Sequence, residues 1–209
     1  MRKQKYLVLA LVFSLGLTGC GPAFEQLDLS STGLRNDVDL FKVSVNESLL
    51  SADQVLASMS EVTGVAADGA ILTEWNNNAR TALATNYKVV SISAPIMMAA
   101  ANLGSRFCDR TLDKEVGAAS AQRRLYPGID FSKNMSQLTD AEYDVALRNL
   151  AQKIWGREAS AEELALFKEF RAGFLEGLSA GEAAQPQRTR ALMLGVCTAM
   201  LASYESLSL

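Results

Sequence analysis

The spacing of apolar positions changes several times along this 209-residue chain, and each change marks an element. Behind Arg2, Lys3 and Lys5, residues 6–17 are almost continuously apolar, and Thr18, Gly19 and Cys20 follow. A basic start, about a dozen apolar residues and small residues after them describe an export leader, because a bilayer-spanning helix needs about 20. Residues 20–36 keep no period and carry Pro22, Gly33 and three hydroxyl side chains in a row, which reads as a tether. Val38, Leu40, Val43 and Val45 alternate with polar residues until Phe41 breaks the pattern, so residues 38–45 are expected to be extended and packed. The organisation is therefore a leader over 1–19, a tether over 20–36 and one domain over 37–209.

From Ser51 onward the period is helical. Ser51 with Gln54 forms a capping box, Val55, Met59 and Val62 follow at spacings of four and three, and Gly64 stops the run. After the Asp68-Gly69 turn, Leu72, Trp75, Ala79, Ala82, Leu83 and Tyr87 keep helical spacing, with the poor helix formers Asn76, Asn77 and Asn78 expected to face solvent. Val89, Val90 and Ile92 predict an extended joint. Pro95 then occupies a first helical position, and residues 96–112, rich in Met97, Met98 and three alanines, predict a central helix buried on most sides. Residues 117–136 read as a long surface connection pinned by Tyr126 and Phe131.

Two further capping boxes follow. Thr139 with Glu142 opens a helix carrying Tyr143, Ala146, Leu147, Leu150 and Ile154 to the stop at Gly156. Ser160 with Glu163 opens the next, with Leu164, Phe167, Phe170, Phe174 and Leu178 on one face. The short joint between them requires an antiparallel neighbour or a corner. A loop over 179–187 precedes a last helix over 188–206, with Leu192, Val196, Ala199, Met200 and Ser203 on one side. The expected fold is all-α, an irregular bundle of about six helices, with the methionines and Trp75 or Trp155 in its core.

Charge and composition narrow the chemistry. Without the leader the chain holds 17 basic and 23 acidic residues, a net charge of −6. That sign excludes a partner such as nucleic acid, whose binding depends on Lys and Arg neutralising phosphates. The chain has no histidine, so it supplies no Ser-His-Asp device and no imidazole ligand. Gly177-Leu178-Ser179-Ala180-Gly181 matches the nucleophile-elbow letters, but a helix runs in where a strand is needed, and no histidine base exists. Asp109 with Asp113, and Glu162 with Glu163, are paired acids suited to acid–base work. They read more simply as ion-pair partners of Arg106, Arg110 or Lys114 and as helix-dipole partners. Asp37 and Asp39 lack the rest of a calcium loop, and no metal ligands or cofactors are expected. The triplets starting at Asn46 and Asn134 match a glycosylation pattern by chance. Arg123 and Arg124, beside Tyr126, are candidates for holding an anion such as a carboxylate or a lipid phosphate. Cys108 and Cys197 are either a disulfide or two buried thiols; an oxidising compartment favours the bond.

The residues Leu17-Thr18-Gly19-Cys20 resemble the lipobox of bacterial lipoproteins. The resemblance implies cleavage before Cys20, acylation of that cysteine, and a membrane partnership through lipid. Gly21, where some lipoproteins carry an inner-membrane retention aspartate, implies the outer membrane. A second resemblance rests on Ile154-Trp155-Gly156-Arg157 with Ser160-Ala161-Glu162-Glu163-Leu164 and Ala202-Ser203-Tyr204-Glu205, together with Leu50-Ser51-Ala52-Asp53-Gln54 and Val62-Thr63-Gly64. These are similar to stretches of uncharacterised α-helical domains in large secreted bacterial proteins, some fused to c-type cytochrome modules. This chain has no Cys-x-x-Cys-His haem motif, so only a helical fold is implied. The expected function is a helical binding or scaffold module at the cell envelope, with an envelope protein as partner. The alternatives are a carboxylate-dependent hydrolase of cell-wall material and a structural subunit of an envelope complex.

Overall fold

Ser51 does what its spacing from Gln54 predicts: its N–H donates to Gln54 Oε1 at 2.9 Å and opens helix α1, Ala52–Thr63. Gly64, at φ 66°, closes it. The computed structural model describes residues 48–83 and 92–208. The leader, the tether, the 38–45 segment, Asp37, Asp39, Asn46, Tyr87 and the Val89–Val90 joint lie outside the described residues.

Helix α2, Gly69–Glu74, passes through a π-helical turn, Trp75–Ala79, into a last turn, Arg80–Ala82. The sequence explains the irregular turn. Ile71, Trp75, Ala79 and Leu83 stand at strict intervals of four and are all buried. In a regular α-helix each such interval drifts by about 40° around the axis. A wider π turn takes up that drift and keeps all four residues on the core. Asn76, Asn77 and Asn78 face solvent as expected, but Leu72 is exposed because Ile71 takes the buried register.

Helix α3, Ala94–Glu115, has Ser93 as N-cap and Pro95 in its first turn. It is central, although not buried on most sides. Ala99, Ala100, Leu103, Gly104, Phe107, Cys108, Thr111, Leu112 and Glu115 form one buried stripe, while Met97 and Met98 are exposed. Ile96 and Ala99 on either side of them turn to the core, so those two methionines depart from the core role expected of them. Met59, Met135, Met193 and Met200 fill it.

The connection after α3 is no surface loop. Apart from a 3-10 turn at Ser120–Gln122, it is irregular, yet Leu125, Tyr126, Ile129, Phe131 and Met135 are all buried. Tyr126 and Phe131 meet edge to face at 5.8 Å and anchor it.

Helices α4, Asp140–Ile154, and α5, Ala161–Glu176, each start on the expected capping box. Asp140 pairs with Arg171, Asp144 with Lys168, and the Tyr143 hydroxyl donates to the Phe167 carbonyl at 3.0 Å. Rising numbers on α4 meet falling numbers on α5, so the two run antiparallel. The expected 179–187 loop contains a one-turn helix, α6, Ala180–Ala183, because Ser179 and Glu182 form a further capping box. The expected last helix is two. Helix α7, Pro186–Leu201, ends at Ala202, and α8, Tyr204–Leu207, follows. Ala199 is exposed, and Met193, Cys197 and Leu201 join Leu192, Val196 and Met200 on the buried side.

Eight helices, six of them long, thus make an all-α fold with no strand among the described residues. One isolated antiparallel bridge, Leu49 to Ser208, ties the two ends of the described chain together. The core centres on α3 against α7. Cys108 and Cys197 are bonded, Cα to Cα 6.0 Å, and Arg190 reaches both Asp109 and Asp113 at 2.7 Å. Where Gly104 faces α7, a Cβ would lie 3.2 Å from Leu201 Cβ. That neighbour is rooted in the opposite backbone and cannot swing away. Gly104→Ala is therefore expected to lower stability by about 1–2 kcal/mol in urea unfolding, despite alanine's better helix propensity. A stabilised variant would mean that the helices stand further apart.

Candidate functional site

Helix α5 receives more apolar residues than its neighbours cover. Of the face expected to be buried, only Leu164 and Phe167 are; Phe170 is 42 % exposed, Phe174 and Leu178 are half-buried, and Leu166 is 63 % exposed. The cause lies on α7. Gly195 has no side chain, and the Phe170 ring occupies that space, 3.1 Å from where a Cβ would stand. The ring therefore rests on α7 with its outer edge in solvent. Leu166, Phe167, Glu169, Phe170 and Gly173 of α5, with Ala199 of α7, line an open and mainly apolar groove of about 490 Å³. Leu166, Phe167 and Phe170 supply its apolar lining, and Gly173 and Ala199 are its smallest lining residues.

Charge follows the groove. Glu162, Leu166, Glu169, Gly173 and Glu176 succeed one another at steps of four and three, so they share one stripe of α5. All three glutamates are exposed, and none makes an ion pair among the described residues. On α7 the basic residues are committed elsewhere, Arg188 to Glu182 and Arg190 to Asp109 and Asp113.

The remaining candidates serve the fold. Asp109 and Asp113 do come together, on Arg190 of a distant helix and not on the bases of their own. Arg110 instead pairs with Asp68 at 3.6 Å. Ser179 caps α6, its hydroxyl accepting from the Glu182 N–H. Arg123 donates to the carbonyls of Ala118 and Ile129 and lies over the Phe131 ring at 5.4 Å. Arg124 donates to the Glu61 carbonyl at 2.6 Å, beside Gly64. The two guanidiniums thus diverge to backbone partners and are not gathered on one anion site. Glu115, which sequence reasoning missed, accepts from the N–H groups of Arg124, Leu125 and Tyr126 at 2.9–3.0 Å. Burial first, then the Glu115 charge, holds the Tyr126 phenol far above its ordinary range, and its hydroxyl has no hydrogen-bond partner among the described residues. Among the described residues no group of three or more histidine, cysteine or acidic side chains is placed to hold a metal ion.

The later residues of the second resemblance, from α4, α5 and α8, form one cluster at the α4–α5 corner, while residues 50–54 and 62–64 stand at the two ends of α1. Arg157 lies over the Trp155 ring at 5.0 Å, holds both oxygens of Glu163 at 2.8–2.9 Å and reaches Glu205 at 2.9 Å. Trp155 Nε1 donates to Ser203 Oγ at 3.0 Å. The cluster fixes α8 to the corner. The Arg157 fork, as the first cause, holds the Glu163 carboxyl at about 2, down from 4.5, and Lys133 does the same for Glu142. A carboxylate whose pKa falls on folding adds stability that is complete above the unfolded value and lost as pH drops through the folded one. Urea midpoints are expected to decline as pH falls from about 4.5 to about 2, and Glu163→Gln to flatten part of that slope. An unchanged slope would remove the pair from the account.

Comparison with protein-family models, with curated proteins and with solved structures finds no match for this chain. What fold and site define together is a class: a disulfide-bonded, all-α domain with an acidic-rimmed apolar groove on one face.

Proposed function

We propose that the protein is exported, anchored in the bacterial cell envelope through lipid on Cys20, and acts there as a helical binding or scaffold module, facing outward from or into the periplasm at the outer membrane. The observation that carries the binding reading is the α5–α7 groove, where Leu166 and Phe170 stay exposed beside an open, mainly apolar hollow. The bond between Cys108 and Cys197 supports an oxidising compartment. The anchor is argued from Leu17-Thr18-Gly19-Cys20 and the leader before it. A single acyl chain holds a protein to a bilayer only marginally, and a second makes attachment stable.

The hydrolase alternative receives less support. It requires a carboxyl with a raised pKa facing a cleft. The carboxyls displaced here, Asp130, Glu142, Glu163 and Glu182, are all lowered by hydrogen bonds, the wrong direction for a general acid.

Two experiments test the proposal. Cys20→Ser is expected to leave the protein unprocessed or released from the membrane fraction; mature, membrane-bound protein at the normal rate would overturn the anchor. Affinity purification of the lipidated protein from its own membranes is expected to return a reproducible envelope partner, and the repeated absence of one would overturn the binding module.

A further inference from the structure

Resting on the binding-module reading, we infer that the α5–α7 groove receives an amphipathic helix of a partner protein. Its apolar residues lie on Leu166 and Phe170, and its lysines or arginines stand opposite Glu162, Glu169 and Glu176. The three acids recur every seven residues, two helical turns, so they form a nearly straight row with steps of about 10.5 Å. A helix laid alongside repeats its own side chains with the same two-turn period, and cations seven apart meet all three acids in register. An extended segment advances about 3.3 Å per residue and shows alternate faces, so its side chains fall out of step with that row.

Between the acids, Leu166, Phe170 and Gly173 stand at steps of four and three. That is the pattern a helix presents to a helix. Among the described residues nothing lies within 4 Å of where a Gly173 Cβ would be, so the hollow has room for a side chain from outside. From α7, Ala199 lines the same groove with only a methyl group.

Charge selects among occupants. Glu162, Glu169 and Glu176 are exposed and have no counter-ion among the described residues, and the α7 side of the groove is neutral. A second copy joined through this face by a two-fold axis would set one acid row against its twin. An anionic bilayer surface would meet the same repulsion. A basic amphipathic helix satisfies the apolar hollow and the acid row together.

The test uses two synthetic helical peptides of about 18 residues with identical apolar positions, carrying lysine or glutamate at three places seven apart. Fluorescence anisotropy measures their binding to the full mature chain. The lysine peptide is expected to bind at least roughly tenfold more tightly, since three exposed pairs contribute modestly each. The advantage should shrink as salt rises from about 50 to about 500 mM. Glu162→Lys/Glu169→Lys/Glu176→Lys should reverse the preference, and Leu166→Asp should abolish binding. These side chains are exposed, and circular dichroism verifies that each variant is folded. Equal affinity for both peptides, no binding of either, or an unreversed preference overturns the inference.

A photocross-linker at Leu166 of the lipidated protein in its envelope is expected to capture a basic helical segment. Capture of lipid, of a second copy, of this chain's own residues or of an acidic segment overturns the inference. A partner captured instead from Val145, exposed on α4, overturns the groove assignment while the binding-module reading stands.

Discussion

Cys108→Ala/Cys197→Ala is expected to lower the unfolding free energy by about 2–5 kcal/mol and the melting temperature by roughly 10 °C. The bond closes 89 residues of sequence, and in the chain-entropy description such a loop restricts the unfolded chain by roughly 4–5 kcal/mol. That is a large fraction of the roughly 5–15 kcal/mol that holds a typical domain folded. The fold should persist at low temperature, because Leu103 and Phe107 on α3 and Val196 and Met200 on α7 remain buried around the gap. Urea unfolding of the wild type with and without reductant should reproduce the difference. Two free thiols in the exported protein, or an unchanged midpoint, would refute the expectation.

The second large effect belongs to Glu115. Its carboxylate gathers three successive backbone N–H groups, of Arg124, Leu125 and Tyr126, and so holds the irregular connection against the end of α3. Glu115→Ala leaves those donors without their acceptor, the two at Leu125 and Tyr126 in buried positions, and is expected to cost about 3–5 kcal/mol. Glu115→Gln keeps one acceptor oxygen and should cost about half as much. Tyr126→Phe is the control. It removes a buried hydroxyl that has no partner among the described residues, so it should be neutral or slightly stabilising. Urea midpoints for the three variants give the order, and a Glu115→Ala protein as stable as Tyr126→Phe would show that the connection holds itself.

Much of the fold was legible because it is written locally. Ser51, Thr139 and Ser160 each stand three residues before Gln54, Glu142 and Glu163, and each opens a helix where that spacing says. A capping box involves one turn of chain, so its partners are fixed by sequence distance alone. Ser179 and Glu182 carry the same spacing and open a one-turn helix inside the segment expected to be a loop. The glutamates at 162, 169 and 176 were also readable as a row. Their significance was not, since it depends on α5 remaining partly uncovered.

What the sequence by itself determined is the all-α class, the starts of the helices, the excluded chemistries and the expectation that Cys108 meets Cys197. Those follow from period, caps and composition, which act within a few residues or over the whole chain. Only the tertiary structure decided which side of each helix is covered. Met97 and Met98 lie in water and Phe170 lies half in it, because coverage depends on which side the neighbouring helices take and on the missing side chain at Gly195. Long-range polar choices were settled there too. Asp109 and Asp113 stand one turn from bases on their own helix, yet bond Arg190, because antiparallel packing of α3 on α7 brings its Nη2 within 2.7 Å of both. Glu115 became an acceptor for a loop nine to eleven residues away for the same reason: backbone N–H groups that enter the core must find a partner, and sequence does not say which side chain will be there.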